Sequence, residues 1–415
     1  MKHNKKIPMY FNDVASLFAN YFSDGQINFA FYFEGYLDKE RLEQAISLLP
    51  ETFPVLRSIV KKEEGSYFRE KTNKEIVLEC TESDNSEKAI EAFLLKGFQL
   101  EEEVPIRFLL IHEEKRDILC MKVDHTIAGG EGVKYLCYAL AQLYKNKTIS
   151  FPVNPNRDPE QITDLFDKEM KEQLLAREVY KMPVQLAPVY DYKKENLFYI
   201  TRQIESELYH KINRDTKKYN VKMNDIFLAA MYFALFNSYE VPEHVKIPIM
   251  VSISMGRYLP VEEQIALSNF WGMFFTEVAY RKNLSNEELL QLVNKCTTDC
   301  KKDDSGLASF LHSQWQMEHD LEGMEKQLQA MGKTGTQYYS LSNMGIVNEE
   351  YLDFGDVSVE MLKCFGPPQC PPGGLFTIMT FKNQINLCCT SFDTGGYKKN
   401  IQNIMEYFLL YLRSI

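Results

Sequence analysis

The residues best suited to chemistry in this chain lie in Asp124-His-Thr-Ile-Ala-Gly-Gly130. A histidine of ordinary pKa, near ~6.5, is largely neutral at physiological pH and can accept a proton from a hydroxyl or amine. Gly129 and Gly130 lack side chains and open a helix, so their N–H groups are placed to face a developing negative charge. A base beside such donors is the equipment of acyl transfer. One group takes the proton of the attacking atom while the others hold the oxyanion that forms on the carbonyl. The bland alternative is a polar loop residue. Asp124 is expected to be solvated or paired with an arginine rather than to orient the ring, because neighbours on an extended chain point apart.

The flanking residues say what must hold this histidine. Residues 118–123 form an apolar run of strand length. After the glycines, Val133, Leu136, Cys137, Leu140, Leu143 and Tyr144 recur at helical spacing. His125 is therefore expected in the loop that follows a buried strand, where the backbone is fixed and the ring stays open. Ile27, Phe29, Phe31 and Phe33 alternate as a half-buried strand, and Asp38 caps a helix carrying Leu42, Ala45, Ile46 and Leu49. Residues 54–60 read as a strand, 61–90 as charged and loop-rich, 87–97 as a short helix, and 106–111 and 117–123 as strands. Pro152, Pro155 and Pro159 mark 150–160 as a linker. The expected division is an N-terminal subdomain, 1–160, carrying the His loop, and a C-terminal subdomain, 161–415.

The second half predicts helices at 205–218 and 224–236, the latter apolar all round and so buried. A strand follows at 247–253. Ser285-Asn-Glu-Glu288 is a capping box. Strands at 375–381 and 385–391 form a hairpin about 382–384, ahead of an amphipathic helix through Ile401, Ile404, Met405, Phe408 and Leu412.

The bulk numbers narrow the classes. A chain of 415 residues exceeds the usual size of one core. A net charge of −11 without a basic block argues against a nucleic-acid surface. No run nears the ~20 apolar residues of a membrane span, and Met1–Pro8 is not followed by an apolar stretch of signal length. Nine cysteines with no Cys-x-x-Cys suit a reduced, cytoplasmic protein. Cys388 and Cys389 should point to opposite faces of a strand. His312 and His319 share a helix face but lack a third ligand, so no metal is expected.

Several segments, in order, carry a resemblance. These are Gly35-Tyr-Leu-Asp-Lys-Glu-Arg-Leu-Glu-Gln-Ala45, Phe53-Pro-Val-Leu-Arg57, Asp124-His-Thr-Ile-Ala-Gly-Gly130, Val221-Lys-Met-Asn-Asp-Ile-Phe-Leu-Ala-Ala230, Ser254-Met-Gly-Arg257, Ser268-Asn-Phe-Trp-Gly272 and Leu341-Ser-Asn-Met-Gly345. Together they resemble the chloramphenicol acetyltransferase-like superfamily, most of all its condensation-domain and alcohol acetyltransferase branches. The resemblance implies an α/β fold of two subdomains, each a mixed β-sheet with flanking helices. They would form a V-shaped pseudo-dimer with a tunnel at the interface.

It also implies a reaction: acyl transfer from a CoA-type or phosphopantetheine thioester, used as co-substrate, to a small alcohol or amine. His125 would be the base, with no permanently bound cofactor. The family's His-His-x-x-x-Asp-Gly becomes Asp124-His125 with Gly129 in place of the aspartate. In the family that aspartate is mainly structural and pairs with a loop-holding arginine. Arg57 is the best match for it and Arg257 the second, with Asp124 or Glu131 to supply the missing charge. Asn269 and Asn343 would hydrogen-bond near the reacting carbonyl, and Trp271 reads as packing.

Gly129 also opens an alternative, a catalytically silent relative that binds a ligand or partner. A further alternative is amide-forming condensation with a carrier protein acting in trans. Ser58-Ile-Val-Lys61, Ser83-Asp-Asn85 and Lys333-Thr-Gly335 match the serine β-lactamase strings. However, Ser58 falls in a strand pattern rather than at a buried helix start.

Overall fold

The computed structural model describes residues 6–415 except 22, 189–191 and 336. The first five residues of the leading segment thus lie outside the described residues. In chain order the strands are β1 (Lys6–Pro8), β2 (Gln26–Phe33), β3 (Ser58–Glu63), β4 (Ser66–Lys71), β5 (Leu78–Glu82), β6 (Ile106–His112), β7 (Asp117–Asp124), β8 (Leu197–Ile204), β9 (Lys246–Ser254), β10 (Trp271–Ala279), β11 (Tyr339–Ile346), β12 (Val359–Phe365), β13 (Gly374–Phe381) and β14 (Gln384–Phe392). The helices are α1 (Phe11–Ala19), α2 (Lys39–Thr52), α3 (Ser86–Leu95), α4 (Gly130–Asn146), α5 (Glu160–Thr163), α6 (Lys168–Leu175), α7 (Ser206–Tyr219), α8 (Met223–Ser238), α9 (Asn286–Lys302), α10 (Ser305–His319), α11 (Leu321–Thr334) and α12 (Tyr397–Ser414).

Two mixed sheets dominate. The first has the order β12-β2-β7-β6-β5 and the second β10-β9-β11-β13-β14-β8, while β1-β4-β3 is a small third sheet. β2 and β7 are central in the first sheet and buried along their whole length. Phe29, Phe31 and Phe33 meet α2 and α4 in one core, and Ala30 and Tyr32 meet α3, Phe365 and Cys388 in another. The alternation in β2 therefore marks a strand covered on both faces, not a half-buried one. The second sheet packs one face on α8 and α12, around Ile226, Phe227, Ile404 and Phe408. Cys389 belongs to this core and Cys388 to the opposite one, as the period-two pattern requires.

Three expectations need correction. First, the sheet of the N-terminal half does not close within 1–160. Its edge strand is β12, antiparallel to β2 with Leu362 opposite Phe31 and Cys364 opposite Phe29. Second, the proline-rich stretch 150–160 is pinned rather than loose. Phe151 is buried in the first core, Asn154 N–H donates to the Ile265 carbonyl at 2.8 Å, and Arg157 reaches the Leu267 carbonyl at 2.9 Å. Third, residues 54–60 begin as a 3-10 turn, Pro54–Arg57, before β3, and the charged stretch beyond holds β4 and β5. The segments matching β-lactamase strings have local structural jobs. Ser58 Oγ donates to Val55 O at 2.6 Å, and Asn85 caps α3.

Candidate active site

β7 delivers His125 to the turn between the first sheet and α4. Its backbone N–H donates to Gly25 O at 2.6 Å, which ties the turn to the start of β2. The ring is half-buried. On one side Trp271 stands edge-on, with ring centroids 6.2 Å apart. On the other, Nδ1 lies 3.2 Å from Ser16 Oγ on α1.

This last contact, taken with the Ser16 hydroxyl donating to Asn12 O, assigns the tautomer. The single Ser16 hydroxyl proton goes to Asn12 O, 2.7 Å away within α1. Ser16 Oγ can then serve Nδ1 only as an acceptor, so Nδ1 carries the hydrogen and Nε2 carries the lone pair. Burial holds the ring below the usual histidine range. Its own backbone, the Asn269 side chain and the charge of Asp13, all of which favour the protonated ring, partly offset this. The neutral ring is thus favoured, with Nε2 as its basic atom.

The expected partners divide sharply. Asn269 sits in the loop before β10 and is buried. Its Nδ2 donates to His125 O at 2.6 Å and to Asp13 Oδ1 at 2.8 Å. Asn343 on β11 is exposed; it accepts from Gly345 N–H at 2.9 Å and lies 3.4 Å from Asn224 Oδ1. Gly129 is the N-cap of α4 in extended conformation, and its N–H donates to Ser268 O at 3.0 Å. That N–H is committed, so Gly129 is not an oxyanion donor. Gly130, the first residue of α4, finds no acceptor for its N–H among the described residues. Trp271 Nε1 is buried and also lacks an acceptor.

Neither Arg57 nor Arg257 holds the loop. Arg57 makes no ion pair among the described residues and its buried Nε is unpartnered. Arg257 is exposed, with its guanidinium 5.5 Å from the Tyr258 ring. Two other arginines take the task. Arg157 Nη2 donates to Ile127 O at 3.1 Å and to Asp13 Oδ2 at 3.0 Å. Arg69 is fully buried on β4 and donates to Thr126 Oγ1.

Asp124 Oδ1 accepts from Thr126 N–H at 2.9 Å and from the Thr126 hydroxyl. Burial pushes the Asp124 carboxyl up to about 6 against the opposing pull of Thr126 and Arg69. Glu131 accepts from Tyr135 OH at 3.2 Å. Asp13, Ser16 and Arg157 were missed in the sequence. The available signal was a helix at 11–19 whose apolar Phe11, Val14 and Phe18 are interleaved with Asn12, Asp13 and Ser16, all buried.

Two cavities flank the loop. One of about 270 Å³ is lined by Gly129, Gly130, Lys134, Trp271, Asn343 and Met344, among others. The other, about 220 Å³, is lined by Asn20, Asp24, Phe98, Asp124, Leu197 and Phe392, among others. The first brings the expected Gly129, Gly130, Glu131 and Asn343 together. Asp124 lines the second, and His125 lies in the chain between the two linings.

His125 thus sits half-buried on a strand-end turn where the two mixed sheets meet, with one cavity lined by Gly129 and Gly130 of its loop and another by Asp124. Residues 23–306 match the condensation-domain family model, and the chain belongs to that family. It is 25% identical over 313 residues to surfactin synthase subunit 2 of Bacillus subtilis (strain 168), covering 70% of this chain and 8% of that protein. It is 23% identical over 295 residues to gramicidin S synthase 1 of Brevibacillus brevis, covering 62% of this chain and 26% of that protein. The chain therefore spans a minor part of these relatives.

Among solved structures, the first condensation domain of the calcium-dependent antibiotic synthetase aligns at TM-score 0.74 and 12% identity, over 99% of this chain and 97% of that one. Trichothecene 15-O-acetyltransferase of Fusarium sporotrichioides aligns at TM-score 0.74 and 11% identity, over 98% and 95%. These likenesses establish the shared fold. No helix among the described residues is long and apolar enough to cross a membrane.

Proposed function

We propose that this protein transfers an acyl group from a CoA-type or phosphopantetheine thioester to the hydroxyl or amine of a small acceptor, with His125 as general base. The observation that carries the reading is the Asn12–Ser16–His125 relay, which leaves the Nε2 lone pair free. Nε2 takes the acceptor's proton as its oxygen or nitrogen bonds to the thioester carbonyl carbon. The carbonyl electron pair moves onto oxygen, where the Gly130 N–H and Trp271 Nε1–H are donors still lacking acceptors. Collapse breaks the C–S bond, and the thiolate leaves with the proton held on the imidazolium. Lowered basicity of the ring suits both halves, since the proton must be taken up and then released.

Thioester consumption, followed with a thiol-reactive dye, tests this in the wild type and in His125→Ala. Loss of the base should slow turnover by about 10²–10⁴-fold. Equal rates would remove His125 from the mechanism.

The match to the condensation-domain family favours a second reading, amide-forming condensation with carrier-tethered substrates, the carrier acting in trans. Turnover of free acyl-CoA counts against it. Gly129 favours a silent ligand-binding relative, which predicts no turnover and no gain on Gly129→Asp. A gain in that variant excludes it.

A further inference from the structure

We infer that Asp13 is the positioning carboxylate of the His125 loop, acting through Asn269 and Arg157. The inference rests on the reading of His125 as base. Asp13 is 1% exposed and accepts three hydrogen bonds: from Tyr10 N–H at 3.2 Å, Asn269 Nδ2 at 2.8 Å and Arg157 Nη2 at 3.0 Å. Each of the last two donors has a second hydrogen, and each spends it on the loop. Asn269 Nδ2 donates to His125 O at 2.6 Å and Arg157 Nη2 to Ile127 O at 3.1 Å. One carboxylate therefore orients two donors that grip carbonyls on either side of Thr126.

The Asn269 amide cannot be reversed, because its oxygen would then face a carboxylate and a carbonyl. Asp13 also sits one helical turn before Ser16, which holds Nδ1. A single helix, α1, thus fixes both the backbone and the ring of His125. Asn12 completes the grip by donating to Asn269 O at 2.8 Å and Trp271 O at 2.9 Å.

This assignment also changes the weight of Gly129. Its N–H is bound to Ser268 O, next to the Leu267 carbonyl that Arg157 Nε holds at 2.9 Å. The loop is held by a largely buried arginine–carboxylate pair, Arg157 and Asp13, without any carboxylate at position 129.

The test uses the full chain labelled with 15N-histidine. The wild type, Asp13→Asn, Arg157→Lys and His125→Gln are compared by long-range 15N–1H spectra and by steady-state turnover. Loss of signals in His125→Gln assigns the ring of interest among the seven histidines. We expect the wild-type ring as the Nδ1–H form. In folded Asp13→Asn the ring shifts should move toward a tautomer mixture. Its kcat should fall at least tenfold, with KM for the thioester within twofold. Arg157→Lys keeps the charge but not the planar fork, and should give a smaller fall in the same direction.

Unchanged ring signals and unchanged kcat in folded Asp13→Asn overturn the assignment, and so does a rise in KM alone. Should Asp13→Asn not fold, Arg157→Lys decides by the same two readouts. If His125 proves dispensable for turnover, the base assignment fails separately, and the ring shifts alone still decide whether Asp13 positions the loop.

Discussion

Burial acts on neighbouring Asp124 and His125 through one cause with opposite results. Removing water disfavours whichever form is charged, so the carboxyl is raised to about 6 and the imidazole lowered. Their linkage to stability therefore has opposite signs. His125 binds its proton more readily in the unfolded chain, so its contribution is present above the unfolded pKa of ~6.5 and is lost as pH falls through the window below it. Asp124 binds its proton more readily when folded. Its contribution is present below 3.8 and is lost as pH rises from there through about 6. Asp124→Asn keeps an oxygen for Thr126 and cannot ionise. Thermal unfolding at pH 7.5 should show this variant more stable than the wild type, with the gain absent at pH 4. A loss of stability at pH 7.5 would mean that the Asp124 charge is compensated in the fold, with Arg69 the first suspect.

Among the elements, close backbone approach sets the site as much as side chains do. β10 begins at Trp271, and its second residue, Gly272, lies against α10 so tightly that an added Cβ would stand 2.2 Å from the Gly306 carbonyl oxygen. Gly306 in turn would clash with Ile253 at 2.6 Å. The Gly306 carbonyl cannot swing away from Gly272 cheaply, since it is backbone. Gly272→Ala should therefore destabilise by about 2 kcal/mol or more, measured by denaturant unfolding. An effect under ~0.5 kcal/mol would show that α10 slides freely. At Gly130, by contrast, the added atom meets the Met344 side chain, a flexible end that can move.

The sequence pattern reached β2, β7, α4, α8, α9 and the β13–β14 hairpin because each carries its own period or cap. The hairpin turn falls at Lys382 and Asn383, both with positive φ. It did not reach α1 or β12. The hydrophobic face of α1 is broken by Asn12, Asp13 and Ser16, whose buried polarity makes sense only once Asn269 and His125 are beside them. β12 is a short stretch whose partner lies more than 300 positions earlier, and local periodicity carries no information on pairing at that distance. Arg57 stands out for the loop through the motif Phe53-Pro-Val-Leu-Arg57, but a local motif does not show what its guanidinium reaches. Arg157 comes from a stretch that looked like a linker.

The molecule as a whole is stitched together by such returns. The core of the first half takes Val347, Leu352, Phe354, Val359 and Leu362 from the far end of the chain, and Phe354 stands edge-on to Phe33 at 5.0 Å. Without β12, β2 would present an unpaired apolar edge, the kind of surface that aggregates. In the other direction α1 leaves the first half to pack with Phe11 against Phe310 of α10, ring centroids 4.7 Å apart. The residues that hold His125 therefore depend on contacts made by the second half. This predicts that residues 1–160 expressed alone lack a cooperative thermal transition and a dispersed amide spectrum, whereas the full chain unfolds in one step. A well-dispersed spectrum from 1–160 would show that the first half closes its own sheet. The second half would then be needed only to supply the far walls of the cavities.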